Sequence, residues 1–207
     1  MAPIPVILLS GPSGAGKSTL AARLGLPVLR LDDFYRDGGD PLLPRDAAGR
    51  VDWDAPGSWL ADEAVAAIVE LATMGEVRAP RYDIAQDRRV GSTHLVAGGA
   101  RAFVAEGLFA DRIVTGCRDA GVLADAVVVA PSGATTFVRR FARDVAESRK
   151  GIGLLVRRGV RLWREHGAVV RRCEAAGMAR CTPAQAADRL ARWAAAVDHD
   201  RGEPLSA

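Results

Sequence analysis

Ile4-Pro5-Val6-Ile7-Leu8-Leu9-Ser10 runs directly into Gly11-Pro12-Ser13-Gly14-Ala15-Gly16-Lys17-Ser18, and this junction decides the fold. A short unbroken apolar run that stops at a glycine-rich loop is the signature of a buried parallel strand. The loop matches GxxxxGK[ST] and opens a helical pattern from Ser18 to Leu24 that ends at Gly25. Strand, loop and helix together predict a phosphate-binding loop. Its glycines let the backbone wrap a polyphosphate while successive N–H groups supply positive potential. The backbone of Gly11, Ser13, Gly14, Ala15, Gly16, Lys17, Ser18 and Thr19 is the predicted nucleotide cradle, Lys17 reaches the terminal phosphates, and the Ser18 hydroxyl is a Mg²⁺ ligand.

Outward from this loop, apolar runs at 28–31, 102–105 and 126–130 predict further strands, ending respectively at Asp32 and Asp33, at Glu106, and at Pro131. Helical patterns are expected from Ser58, as N-cap, to about Thr73, over 110–120, and over about 133–149, 152–175 and 183–197. The last of these opens on Thr182 as N-cap and Pro183. Residues 77–97 read as short extended pieces around Pro80 and Gly91, the second a candidate hairpin partner of the strand after it. Short strands alternating with helices predict an α/β fold: a P-loop NTPase fold with a parallel sheet, helices on both faces and a helical lid. Ligands then bind beyond the carboxyl ends of the strands. One domain over 1–207 is expected, with an acceptor-site insertion at about 37–97 and the lid at about 139–153.

Composition agrees with a globular chain: 49% hydrophobic, 26% charged, 5% aromatic. No apolar run approaches the ~18 residues of a membrane span, and the amino-terminal residues lack a secretory pattern, so a cytoplasmic protein without membrane association is expected. Cys117, Cys173 and Cys181 are odd in number and lack CxxC spacing, which indicates neither disulfides nor zinc. His94, His166 and His199 lack ligand spacing. Net charge is +3, yet residues 139–172 carry +8 and the remainder −5. Arg139, Arg143 and Lys150 can share one helix face with Arg140 beside it, a phosphate clamp once the loop is granted. Arg157, Arg158, Arg161 and Arg164 lie opposite an apolar stripe and receive no chemistry. Nucleic acid is disfavoured as a partner because the basic stretch alternates with core positions. Homo-oligomerisation is left open.

Phosphoryl transfer needs a carboxylate near the metal and another near the attacking hydroxyl. Asp32, Asp33 and Glu106 are the candidates, each at a strand end on the rim that carries the loop. Trp53, in the long polar loop, is the tryptophan placed to touch a substrate, and the stretch between Gly177 and Pro183 is the expected place for adenine contacts.

Six signals in order resemble the uridine kinase family, the uridine–cytidine kinases and their phosphoribulokinase-like relatives, over roughly residues 4–150. They are the loop at 11–18, Leu31-Asp32-Asp33-Phe34-Tyr35-Arg36, Trp53-Asp54-Ala55-Pro56, Pro80-Arg81-Tyr82-Asp83, Ala105-Glu106-Gly107-Leu108, and Arg139-Arg140-Phe141-Ala142-Arg143-Asp144. The resemblance implies a kinase using ATP and Mg²⁺ to phosphorylate a hydroxyl of a small-molecule acceptor, in the manner of a nucleoside kinase. It implies Asp32 as the base, Lys17 at the transferred group, Glu106 with Ser18 at the metal, and Asp54 at ribose hydroxyls. Tyr82 would line the acceptor pocket, with Arg139, Arg140 and Arg143 in the lid. Departures are local. Asp87 stands where the family's base-reading histidine is expected, Ile84 replaces a phenylalanine, Gly57 ends the Asp54-Ala55-Pro56 signal, and Glu147-Ser148-Arg149-Lys150 closes the lid segment. The phosphoryl-transfer residues are kept while the base-reading ones are not. A kinase for a non-nucleoside alcohol and a regulatory nucleotide-binding protein remain the alternatives.

Overall fold

A computed structural model describes residues 2–12, 14–130 and 167–194. Five parallel strands form one sheet: β1 (Val6–Ser10), β2 (Val28–Arg30), β5 (Phe103–Glu106), β6 (Leu123–Val129) and β7 (Ala179–Cys181), in the order β2-β5-β1-β6-β7. β1 is the central strand. Its alternate residues enter different layers, Val6 and Leu8 with one cluster, Ile7 and Leu9 with the other. All four are fully buried, and burial of such a side chain is worth about 1.5–3 kcal/mol. The expected sheet covered on both faces is what forms.

On the first face lie α2 (Ala61–Met74), α3 (Val114–Asp119) and a helix over residues 167–175, here α4; on the second lie α1 (Lys17–Leu24) and α5 (Pro183–Leu190). Ile68 and Leu71 of α2 pack with Phe103 and Ile113, whereas Leu20 and Leu24 of α1 pack with Val104, Val127 and Leu190. α5 begins as expected: Thr182 accepts from Gln185 N–H while the Gln185 side chain accepts from Thr182 N–H, with Pro183 in the first turn. Cys117, Cys173 and Cys181 are free and buried, and burial alone pushes the Cys117 thiol up to about 12.

Four local expectations need correction. Ser58 does not cap α2, which starts at Ala61 with Leu60 preceding it. Instead Ser58 is buried and donates to the carbonyls of Ala55 and Trp53, closing a turn. The extended pieces at 77–97 pair with one another, as β3 (Glu76–Asp83) and β4 (Arg88–Val96), in an antiparallel hairpin outside the main sheet. Residues Ala110–Ile113 form a 3₁₀ turn ahead of α3. The stretch between Gly177 and Pro183 contains the edge strand β7, whose three residues are too few to show a periodic pattern. The lid segment and residues 195–197 of the last expected helix lie outside the described residues.

Register aligns the carboxyl ends that matter. Leu9 and Arg30 both lie opposite Glu106, so the loop after β1, the turn after β2 and the end of β5 share one rim. Behind β2, the segment 37–57 is held by short-range carboxylate contacts. Asp40 accepts from Leu42 N–H and Arg36, and Asp46 accepts from the N–H groups of Ala48 and Arg50 and from the Arg50 guanidinium.

Candidate active site

The phosphate loop leaves β1 at Gly11, where φ is +145° and an added Cβ would stand 2.5 Å from the Val129 carbonyl oxygen. Only glycine lets the loop pass so close to β6. Gly14 and Gly16 are also left-handed, at φ +76° and +94°, and Ala15 N–H donates to Pro12 O at 3.0 Å. Lys17 Nζ donates to the carbonyls of Gly11 (2.8 Å) and Pro12 (3.3 Å), arching over its own loop. The first turn of α1 carries no acid, so its amide ends keep their positive potential. Ser13 lies outside the described residues; Ser18 and Thr19 are exposed at the helix start.

The three strand-end carboxylates separate into distinct situations. Glu106 faces the loop: the Ser18 hydroxyl lies 3.0 and 3.2 Å from its two oxygens. Asp32 is exposed at the rim, its Oδ1 3.4 Å from the N–H of Leu108. Asp33 turns inward, accepting from Tyr82 N–H at 3.0 Å and lying 3.8 Å from the Arg30 guanidinium. It fastens β3 to the turn after β2, which removes it from the candidates for chemistry. Gly107 lets the chain hug Asp32, because a Cβ there would lie 2.6 Å from Leu31 Cβ and 3.0 Å from Asp32 Oδ1.

Beyond Asp32 stands an aromatic group centred on Tyr35. Its ring lies 5.9 Å from Trp53, 5.9 Å from Tyr82 and 6.0 Å from Phe109, spacings at which edge and tilted contacts are favourable. Trp59 braces the group from below, donating its indole N–H to Leu31 O at 2.7 Å. Burial first, then the charges of Asp32 and Asp54, drives the Tyr35 hydroxyl well above its ordinary range. Tyr82 donates its hydroxyl to Arg36 O and is pushed up to about 12 by burial, with Asp87 and Asp37 adding.

Asp54 and Asp87 are exposed. Asp87 occupies the turn between β3 and β4 at φ +48°, its carbonyl accepting from Gly38 N–H at 2.6 Å. Arg89 N–H donates to Asp37 Oδ1, and the Arg89 guanidinium forks onto Glu63 of α2 at 2.8 and 2.6 Å. Ile84 is 73% exposed. Arg139, Arg140 and Arg143 lie outside the described residues, so the structure places Lys17, Ser18, Glu106 and Asp32 on one rim, gathers Tyr82 and Trp53 around Tyr35, and leaves Asp54 exposed next to Trp53 in the chain. Tyr35 and Phe109 were not singled out from sequence. Tyr35 sits three residues after Asp32 in the same signal, the one cue that pointed to it.

Among the described residues no helix is long and apolar enough to cross a membrane, and no group of three or more His, Cys, Asp or Glu side chains could by itself hold a metal ion. His94 pairs with Glu76 on the exposed hairpin.

The model of the Phosphoribulokinase / Uridine kinase family matches residues 6–153. Uridine kinase of Saccharomyces cerevisiae is 29% identical over 153 residues, covering 68% of this chain but only 29% of that longer protein. The crystal structure of a "putative fructose transport system kinase" from Silicibacter sp. TM1040 superposes with a TM-score of 0.56 at 22% identity, covering 84% of this chain and 86% of that one. That superposition shows a shared fold. Since the family match takes in the phosphate loop, both rim carboxylates and the segment 37–97, the chain belongs to the Phosphoribulokinase / Uridine kinase family.

Proposed function

We propose that this chain is a Mg²⁺- and ATP-dependent phosphotransferase acting on a hydroxyl of a small metabolite, in the manner of a nucleoside kinase. The observation that carries the proposal is the separation of duties on one rim. Ser18 and Glu106 stand together at the phosphate loop, while Asp32, paired with neither, is exposed on the same rim beside Leu108, in the turn that leads to the aromatic group around Tyr35. In this assignment the loop amides and Lys17 hold the terminal phosphates. Asp32 orients the acceptor hydroxyl and takes its proton as the oxygen bonds to the γ-phosphorus. The bond from that phosphorus to the β,γ-bridging oxygen breaks, giving ADP and a phosphate monoester. Donors fixed before reaction stabilise the developing charge without reorganising. Asp54 meets ribose hydroxyls, and Tyr82 and Asp87 border the acceptor.

The chemistry of the donor set suits Mg²⁺. A hydroxyl and a carboxylate within hydrogen-bond distance of one another are hard oxygen ligands, and Mg²⁺ takes few of these from protein, completing its shell with phosphate oxygens and water. When bound it would neutralise charge on the phosphates.

Asp87 and the exposed Ile84 favour one second reading, a kinase for an alcohol other than a pyrimidine nucleoside. A carboxylate offers only acceptors where a base edge would need a donor. Both readings are tested by ADP production with Mg²⁺-ATP across nucleosides and other small alcohols. Asp32→Asn should lower transfer roughly 10²- to 10⁴-fold while the ATP Kd stays nearly constant. Normal turnover in that variant would remove Asp32 from the mechanism, and ATP binding without transfer to any acceptor would favour a regulatory role.

A further inference from the structure

Leu108 is a junction. Its N–H faces Asp32 Oδ1 at 3.4 Å, and its carbonyl accepts from the Ser10 hydroxyl at 3.3 Å and from Arg172 Nη2 at 3.2 Å. Arg172 belongs to α4, more than sixty residues further along the chain. Its guanidinium is fixed in both place and plane: Nε and Nη2 donate to the two oxygens of Asp111 at 2.7 and 3.0 Å, and Cζ lies 5.5 Å from the centre of the Phe109 ring. The Asp111 side chain is 2% exposed and that of Arg172 27%. A two-pronged pair of this kind adds directional constraint that a lysine would not supply. The next residue of α4, Cys173, directs its thiol to Ser10 Oγ at 3.5 Å, so α4 reaches the Leu108 carbonyl by two routes.

Gly107 transmits the constraint. Its lack of a side chain brings the backbone flat against Leu31 and Asp32, so a shift of Leu108 is felt at the Asp32 carboxylate. At 3.4 Å the Leu108 N–H contact is long; it governs where the carboxylate stands more than how tightly it is held. Phe109, which follows, is also a wall of the aromatic group.

We propose that Arg172, locked by Asp111, is a positioning residue for Asp32, acting from α4 through the Leu108 backbone. The proposal rests on Asp32 being the base. A merely structural ion pair would lower the melting temperature alone. A positioning residue lowers kcat through Asp32, leaving the ATP Kd in place.

The test is a double-mutant cycle with R172Q and D32N on the full chain. Single-turnover transfer is followed to the fastest acceptor of the panel or, where none responds, to water, with melting temperature and ATP Kd recorded alongside. R172Q should lower kcat by about 10- to 100-fold, the scale of a misplacement near 1 Å. In the D32N background it should change the residual rate by less than about threefold, because residues acting as a unit are not additive. Should R172Q unfold by leaving the buried Asp111 carboxylate with only Arg112, 3.4 Å away, R172Q/D111N removes that residual charge, and S10A removes the other donor to Leu108. Both are expected to show the same dependence on Asp32, S10A more weakly. Equal losses in the two backgrounds, or R172Q turnover at the wild-type rate while D32N is inactive, overturn the positioning role alone. A fully active D32N overturns the base assignment and this proposal with it.

Discussion

The phosphate loop draws Gly11, Lys17 and Ser18 from eight consecutive residues, whereas the proposed acceptor side gathers Asp32, Tyr35, Trp53, Tyr82 and Phe109 from separate segments. The first is anchored by β1 and β6 at the centre of the sheet. The second hangs on edge strand β2 and on a hairpin outside the sheet, fastened by Asp33 to Tyr82, Tyr82 to Arg36, and Arg89 to Glu63 and Asp37. Failure should differ accordingly. A change in the loop meets rigid backbone, while a change on the acceptor side loosens one clasp among several.

The largest contrast is expected from two glycines. Gly11→Ala places a Cβ 2.5 Å from the Val129 carbonyl, in a conformation that L residues rarely adopt. A loss of about 2–4 kcal/mol in urea unfolding is expected. Gly16→Ala meets nothing within 4 Å and carries only the strain of φ +94°, about 1–2 kcal/mol. Equal losses would deny that the loop is clamped against β6.

A smaller effect is expected at the acceptor side. Arg89→Gln opens the clasp between β4 and α2, and should raise the acceptor KM about three- to tenfold, a change of roughly 0.7–1.4 kcal/mol, with the ATP KM unmoved. Because the Arg89 and Glu63 side chains are 29% and 44% exposed, global stability should fall by less than about 1 kcal/mol. An equal rise in both KM values would mean that the two sides do not behave independently.

The smallest effect is in acid. Asp40 is held below its ordinary range first by the Leu42 N–H and then by Arg36, Asp46 by the Arg50 N–H and side chain, and Asp83 by the Gln86 side chain and the Ala85 N–H. Each binds its proton more weakly folded than unfolded. Their contribution is thus complete above the unfolded value near about 3.9 and is lost as pH falls through the lower folded values. Amide resonances of 40–50 and 83–88 should report this opening before those of the phosphate loop; loss of the loop signals first would contradict it.

Much of the fold was legible because its signals are local. Continuous apolar runs mark β1, β5 and β6, a capping pair marks the start of α5, and the loop motif lies between its strand and helix. β7 was missed because Ala179–Cys181 has neither length nor alternation. The hairpin partner was misread because pairing at 77–97 depends on a turn in which a non-glycine residue, Asp87, adopts positive φ, and nothing in composition announces that. Ser58 looked like a cap and became a buried turn residue, since hydroxyls suit both positions.

By itself the sequence determined the parallel sheet, the phosphate loop and the rim to which the proposed chemistry is assigned, since each follows from contacts between near neighbours or from strand-end position. The resemblance had already favoured Asp32 over its chemically identical neighbour Asp33, but only the tertiary structure gives the physical reason, turning one to the rim and the other onto the Tyr82 backbone. It alone brought Arg172 to Leu108 across 64 residues. The roles of such groups are fixed by which distant backbone atoms they meet, and that information exists only once the chain has closed.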